Sequence, residues 1–158
     1  MRRKDREINS KTEIEAIIGR CPILIIGLAD ENQPYAIPVN FVYKKEDKVF
    51  YFHSAKEGRK IDLINTNNNC CFTLYNDMGV DHGDVPEKTT NYYESIMGTG
   101  KIIEVVDLSE KRLVVELLMA RYGYENYPNV DETTLNKTYF GKIIIDSISG
   151  KANRRKTG

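Results

Sequence analysis

Short apolar runs separated by polar turns predict a chain built mainly from β-strands. The runs that predict strands cover residues 23–29, 35–43, 49–53, 70–75, 92–106 and 139–148. Because strands mostly follow strands, we expect a mainly antiparallel sheet that closes into a small barrel. Pro38 lies inside the second run and marks an edge, a bulge or a bend, since proline donates no hydrogen bond to a neighbouring strand.

Helical periodicity is confined to a few short stretches, most of which begin with a hydroxyl residue that can cap a first turn. Thr12 is predicted to cap a helix over residues 12–20, and Ser54 a helix over residues 55–66. Ser109 is predicted to cap a third helix that begins directly after it, and residues 132–137 are predicted to form a helical turn. Residues 77–90 lack periodicity and are expected to form an exposed loop. The sequence therefore predicts one domain over residues 1–158, mainly β with peripheral helices.

Composition and charge argue against several classes of function. Lys and Arg total 23 and balance 23 Asp and Glu, so no overall positive field draws in nucleic acid. No apolar run approaches the roughly 20 residues of a membrane-spanning helix, and the start lacks the apolar core of a signal peptide. We therefore expect a cytoplasmic protein with neither nucleic acid nor membrane as partner.

The cysteines and histidines show no metal-binding pattern. The three cysteines are an odd number without a Cys-x-x-Cys pair, which argues against a disulfide framework or a zinc site. Cys70 and Cys71 are adjacent, so a strand would point them to opposite faces. The two histidines, His53 and His82, have no spacing typical of a catalytic metal. No metal site is predicted.

The segment from His53 to Lys60 is the strongest candidate for ligand binding. A predicted strand ends at its start and a helix follows, and helix N-termini offer free N–H groups and a positive dipole to a phosphate. Ser54 adds a hydroxyl donor, Arg59 and Lys60 add charge, and Gly58 permits close approach to the backbone. Taken alone, these residues fit an ordinary capped surface helix equally well.

Two other stretches could face a flat heterocycle. The bend at Pro38 beside Asn40 could present backbone groups and an amide, although a bent core strand explains the same residues. Residues 92–101 combine tyrosines, a hydroxyl and two glycines, as a simple bulged strand also would. Basic residues also cluster at both ends of the sequence, and they form either solvated tails or a cover over an anionic ligand. These residues are Arg2, Arg3, Lys4, Arg6, Lys151, Arg154, Arg155 and Lys156.

These segments, in this order, resemble the pyridoxamine phosphate oxidase-like flavoproteins and, within them, the nitroimidazole-resistance (Nim) family. The most specific part is residues 51–62, supported by residues 93–96 and by Gly98-Thr99-Gly100. The resemblance covers nearly the whole chain. It implies an FMN-binding split β-barrel that forms a homodimer with FMN at the subunit interface. The chain has no tryptophan, whereas true pyridoxamine phosphate oxidases carry one near the C-terminus. We therefore do not expect this protein to oxidise pyridoxamine phosphate.

The resemblance also implies roles for individual residues. It places Ile37, Pro38, Val39, Asn40 and Phe41 around the flavin ring, and His53 and Ser54 beside the ring or the ribityl chain. It places Gly58, Arg59 and Lys60 at the phosphate. The partner subunit would contribute Tyr93 and Ser95, with or without the 151–155 tail. It implies an oxidoreductase that passes two electrons from a small-molecule donor to a small planar acceptor such as a nitroaromatic. His53 is the candidate proton donor, because it is the only nearby side chain with a suitable unperturbed pKa. The alternative is an FMN- or haem-binding protein without turnover, in which His53 or His82 ligates iron.

Overall fold

Eight strands form one antiparallel sheet in the computed structural model, which describes residues 3–155. The strands are β1 (Glu7–Ile8), β2 (Leu24–Asp30), β3 (Gln33–Val39), β4 (Phe41–Lys44), β5 (Val49–Ala55), β6 (Asn69–Asp81), β7 (Thr90–Glu104) and β8 (Thr138–Asn153). Their order is β3-β2-β6-β7-β8-β5-β4, with β1 paired to β8. Every pairing is antiparallel, so the predicted mainly β fold is confirmed.

Closure of the barrel follows from the order of the strands. β3 and β4 occupy opposite ends of the sheet, yet only Asn40 separates them in the sequence. The sheet must therefore curl until its two edges meet at this residue, without a ladder of hydrogen bonds between them. The predicted single strand over residues 35–43 is two strands, and Pro38 lies in an edge strand, where its missing N–H is tolerated.

Four α-helices lie against the sheet: α1 (Lys11–Arg20), α2 (Arg59–Thr66), α3 (Leu108–Arg121) and α4 (Glu132–Lys137). Two of the predicted caps are wrong by two residues. Ser10, not Thr12, caps α1 by accepting a hydrogen bond from the N–H of Glu13. Asp107 caps α3 in place of Ser109, since its carboxylate accepts from the N–H three residues on.

The core has two parts, and β5 contributes to both. Phe50 and Phe52 point into the barrel, while Val49 and Tyr51 point to a second cluster under α3 and α4. This strand is buried on both faces, which explains its unbroken apolar sequence.

β6 is longer than its apolar sequence predicts, because its second half is polar. Residues 77–90 were expected to be a loop, but β6 continues to Asp81 and a short 3₁₀ helix spans Pro86–Lys88. The hairpin is exposed, so its strands do not need an apolar face and periodicity could not reveal them. The adjacent cysteines behave as predicted, with Cys70 buried and Cys71 exposed. Among the described residues, no helix has the length and apolar character that crossing a bilayer requires.

Gly98 in β7 allows β6, β7 and β8 to approach closely. A Cβ atom there would lie 2.2 Å from the carbonyl oxygen of Ser147 and 2.3 Å from the Phe72 ring. We expect Gly98→Ala to lower the free energy of unfolding by about 1–3 kcal/mol, because a backbone oxygen cannot move aside. Gly19→Ala is the matched control: nothing lies within 4 Å of that Cβ in α1, so urea denaturation should show unchanged or slightly raised stability. Equal stabilities for the two variants would contradict the close approach.

Candidate functional site

The segment 53–60 has a different local structure from the one predicted. β5 continues to Ala55, and Ser54 pairs with Tyr139 of β8. The Ser54 hydroxyl donates to the carbonyl of Ala55 at 2.9 Å, so this residue is not the cap of α2. The N-cap is Gly58, whose φ of 105° lies in a region that glycine adopts without strain. The predicted capping box was wrong because pairing with β8 holds Ser54 in the strand.

The N-terminus of α2 is open and positively charged. No described side chain caps it, so its first N–H groups are available to a ligand. Within residues 3–155, neither Arg59 nor Lys60 forms an ion pair with a carboxylate. Burial lowers the pKa of Lys60. Two cations without acidic partners beside a helix N-terminus are an arrangement that suits a phosphate group.

A cation–π contact joins this helix start to β3. The Arg59 guanidinium carbon lies 4.9 Å from the centroid of the Tyr35 ring. The contact places the start of α2 beside the strand that carries Ile37 and Pro38, two of the predicted flavin neighbours. No sequence periodicity links positions 35 and 59, so only the fold reveals Tyr35 as part of this site.

The five residues predicted around the flavin differ in what they can offer. Pro38 and Asn40 are exposed, and their side chains are open to a ligand. Ile37 is half-buried against the barrel core. Val39 and Phe41 are buried there, so only their main-chain groups could contact a ligand.

His53 lies on the other face of β5 from the barrel core. It pairs with Phe140 of β8, and its exposed side chain lines an apolar pocket beside α3. Protein atoms around the ring lower its pKa by desolvation, and the positive charge of Lys60 lowers it further. The imidazole is therefore neutral at pH 7, with one nitrogen donating and the other accepting.

Removing the charge of Lys60 should raise the pKa of His53. We expect Lys60→Gln to shift the His53 titration to higher pH, followed by NMR of the imidazole protons. Lys56→Gln is the control, since that ammonium pairs with Glu104 at 3.5 Å and does not act on His53. An identical His53 titration in wild type and Lys60→Gln would show that the two side chains are not coupled.

Tyr93 and Ser95 lie on the outer face of the sheet, away from the segment 53–60. The Tyr93 ring stacks on Tyr75 with centroids 6.0 Å apart, and the Lys151 ammonium lies 5.6 Å from its centroid. Desolvation raises the pKa of Tyr93, but hydrogen bonds from Lys151 and Arg6 outweigh it and the pKa is lowered. β8 separates this surface from β5, and no hydrogen bond among the described residues joins the two regions within one chain.

The C-terminal basic residues divide into two kinds. Arg154 is structural, since its guanidinium binds Glu94 and Glu13. Lys151 instead lies over the Tyr93 ring on the outer face, and the Arg155 guanidinium carbon lies 5.3 Å from the centroid of the Tyr92 ring. Arg2 and Lys156, which belong to the predicted basic tails, lie outside the described residues. In residues 3–155, no three His, Cys, Asp or Glu side chains gather closely enough to hold a metal ion.

Three solved structures illustrate the similarity of this fold to known proteins. A candidate 5-nitroimidazole antibiotic resistance protein from Bacteroides thetaiotaomicron is 29% identical, with a TM-score of 0.78 over 94% of this chain and 90% of that one. A FAD- and haem-binding protein from Mycobacterium smegmatis, 16% identical, has a TM-score of 0.85 over 94% of this chain and 74% of that one. A flavocytochrome from Azotobacter vinelandii, 17% identical, has a TM-score of 0.83 over 98% of this chain and 72% of that one.

The sequence itself gives the family. Among curated proteins, none matches this chain. The sequence profile of pyridoxamine 5'-phosphate oxidase, however, matches residues 10–152, which is most of the chain and includes every strand from β2 to β7 and nearly all of β8. The family resemblance of the sequence is thereby confirmed, and the chain belongs to the pyridoxamine 5'-phosphate oxidase family.

Proposed function

We propose that this protein binds FMN as a homodimer and acts as an oxidoreductase that reduces a small planar nitroaromatic acceptor. The observation that carries the proposal is the pair Arg59 and Lys60, which has no carboxylate partner among the described residues and lies at the uncapped N-terminus of α2. Positive charge left uncompensated in this way favours an anionic ligand. FMN is the anionic ligand that we propose, because the chain belongs to this family and the similar proteins are described as nitroimidazole-resistance and flavin-binding proteins.

The phosphate of FMN would be held by three kinds of donor. The Arg59 guanidinium can donate two parallel hydrogen bonds to two phosphate oxygens. Lys60 adds a point charge, and bound phosphate would compensate the desolvation that lowers its pKa. The main-chain N–H groups after Gly58 add the positive end of the helix dipole.

The flavin ring would lie along β3 and its junction with β4. Pro38 and the Asn40 amide offer side chains, and the buried Val39 and Phe41 offer main-chain groups, while His53 and Ser54 lie at the end of β5. Bound FMN supplies reversible two-electron chemistry. The protein would orient the ring and exclude water. The His53 imidazole would donate a hydrogen bond in its neutral form, and would act as a proton donor only after taking up a proton.

Dimerisation is supported by exposed apolar side chains on the outer face of the sheet, which no part of the described chain covers. Ile25, Tyr75 and Met97 are 37%, 46% and 61% exposed on the adjacent strands β2, β6 and β7. Thr73 lies between Ile25 and Met97 in the sheet, and exposed apolar side chains grouped this closely favour a protein–protein contact. Packing two such faces together would bring Tyr93, Ser95 and the cation of Lys151 to the partner, where they could complete its FMN site.

The purified protein tests the proposal in two steps. A yellow preparation that releases FMN on denaturation supports flavin binding, whereas a haem Soret band would favour the haem-binding alternative. Anaerobic addition of NADH or NADPH, followed by 2-methyl-5-nitroimidazole, should first bleach the flavin absorbance and then restore it. Flavin that stays oxidised with both donors would contradict a reductase that uses nicotinamide cofactors.

A further inference from the structure

A second feature of the fold is an apolar pocket of about 350 Å³ on the outer side of β5 and β8. It lies between α3, α4 and the connection between them, and its walls include Met119, Tyr124, Tyr127 and Val130. His53 and Thr138 also line it and are among its few polar groups. The volume is within the range of roughly 300–1,000 Å³ that small-molecule sites occupy, and mostly apolar walls with few polar groups are typical of such sites.

The walls of the pocket are held by the main chain. Gly123, with φ of 65°, turns the chain after α3, and the N–H of Tyr124 then donates to the carbonyl of Met119 at 3.0 Å. The Tyr124 and Tyr127 rings lie 6.0 Å apart with a 42° tilt. One side chain also contributes: the Arg112 guanidinium donates to the carbonyl of Val130 at 3.0 Å and holds that part of the wall. The main chain that carries the two rings is thus held before any ligand arrives.

The pocket adjoins the segment proposed to hold FMN. Thr138 pairs with Ala55 across the β5–β8 ladder, and His53 lies two residues earlier on the same strand. A molecule in the pocket could therefore contact His53, at the start of the segment 53–60.

We infer that this pocket binds the electron acceptor as an uncharged, planar molecule of one or two rings, with its polar substituent towards His53. The inference rests on the proposed function and names the site at which its acceptor binds. Tyrosine rings and the Met119 thioether are suited to the edges and faces of an aromatic molecule. A charged group would be desolvated against aliphatic walls without a partner, so the pocket selects neutral acceptors.

The chemistry of the walls favours the acceptor over the flavin ring. The pyrimidine end of a flavin carries several hydrogen-bond donors and acceptors, and each would need a polar partner if it were buried. The deep walls of Val115, Leu118 and Leu135 provide none. The exposed Asn40 and the main chain of β3 and β4 offer the hydrogen-bonding groups that the pyrimidine end of a flavin needs.

Two variants and one control test the inference on the FMN-saturated protein, with nitrobenzene as the probe and 4-nitrobenzoate as its charged analogue. Methyl NMR should place nitrobenzene at Met119 and Val130. Val130→Phe should fill the pocket and abolish binding, and Tyr124→Ala should weaken it about threefold to tenfold. Tyr122→Ala is the matched control, since Tyr122 is 49% exposed, next to the same turn and outside the pocket lining. FMN affinity should be the same in all four proteins.

Each outcome decides the question. Nitrobenzene that binds Val130→Phe as it binds wild type, or that shifts methyl groups elsewhere, would overturn the inference, as would equal affinity for 4-nitrobenzoate. Loss of FMN from Val130→Phe, with circular dichroism unchanged, would show that the flavin itself occupies the pocket. If wild type fails to bind FMN, the proposed function fails. The same titration on the protein alone still tests the pocket, since these walls are present without flavin.

Discussion

The double variant Arg59→Ala/Lys60→Ala should lose FMN affinity by roughly a hundredfold to ten-thousandfold. Each charge-assisted hydrogen bond to the phosphate is worth about 1.5–3 kcal/mol, and both cations lack a competing carboxylate among the described residues. Affinity for riboflavin, which has no phosphate, should be unchanged. Quenching of flavin fluorescence measures both ligands on the same proteins.

Lys56→Ala separates a phosphate contact from a general effect of positive charge. Lys56 belongs to the same segment, but its ammonium is paired with Glu104, so FMN affinity should change little. Equal losses for Lys56→Ala and the double variant would mean that FMN senses only net charge. Equal losses of FMN and riboflavin would place the phosphate elsewhere.

Glu94→Ala should lower the free energy of unfolding by about 3 kcal/mol. Glu94 is 2% exposed, and its carboxylate accepts hydrogen bonds from Arg20 at 2.8 and 2.9 Å and from Arg154 at 2.6 and 2.9 Å. Breaking a buried pair costs about 3–5 kcal/mol, and the lower end applies because both guanidinium groups remain partly exposed. Glu13→Ala removes only the peripheral partner of Arg154 and should cost under about 1 kcal/mol in the same urea denaturation.

The contribution of Glu94 also has a defined pH dependence. Burial raises its pKa, but hydrogen bonds from Arg20, Arg154 and Asn76 outweigh this, so the pKa in the folded protein is below the ordinary value of 4.5. A lowered folded pKa stabilises the native state above the unfolded pKa, and this stabilisation is lost as pH falls through the folded pKa. The stability gap between wild type and Glu94→Gln should be constant from pH 6 to 8 and shrink below about pH 4.5. A gap that widens on acidification would contradict the network.

The strands were largely predictable because their chemistry is local. The apolar run of residues 49–53, the proline in β3 and the two glycines of β7 each identify a constraint on the backbone at that position. The starts of the helices were less predictable, since serine caps only when its own backbone is free. The backbone of Ser54 pairs with β8, more than 80 residues away in the sequence, and a local capping pattern contains no information about that pairing.

The candidate site was predictable only in part, for the same reason. Arg59 and Lys60 stand out in the sequence because two cations follow a glycine at a helix start. Their neighbours depend on tertiary structure: Tyr35 is brought to Arg59 by packing of α2 on the barrel, and His53 is brought to Tyr124 and Tyr127 by the connection after α3. Neither contact has a sequence spacing that a motif could describe.

Calorimetric titration of the wild-type protein with FMN, and with riboflavin as the matched ligand, measures how much the phosphate of FMN contributes to binding. We predict saturable binding of one FMN per chain, and weaker binding of riboflavin, because only FMN can use the uncapped start of α2 together with Arg59 and Lys60. No saturable heat with FMN, or equal affinity for FMN and riboflavin, would contradict a phosphate site at this position.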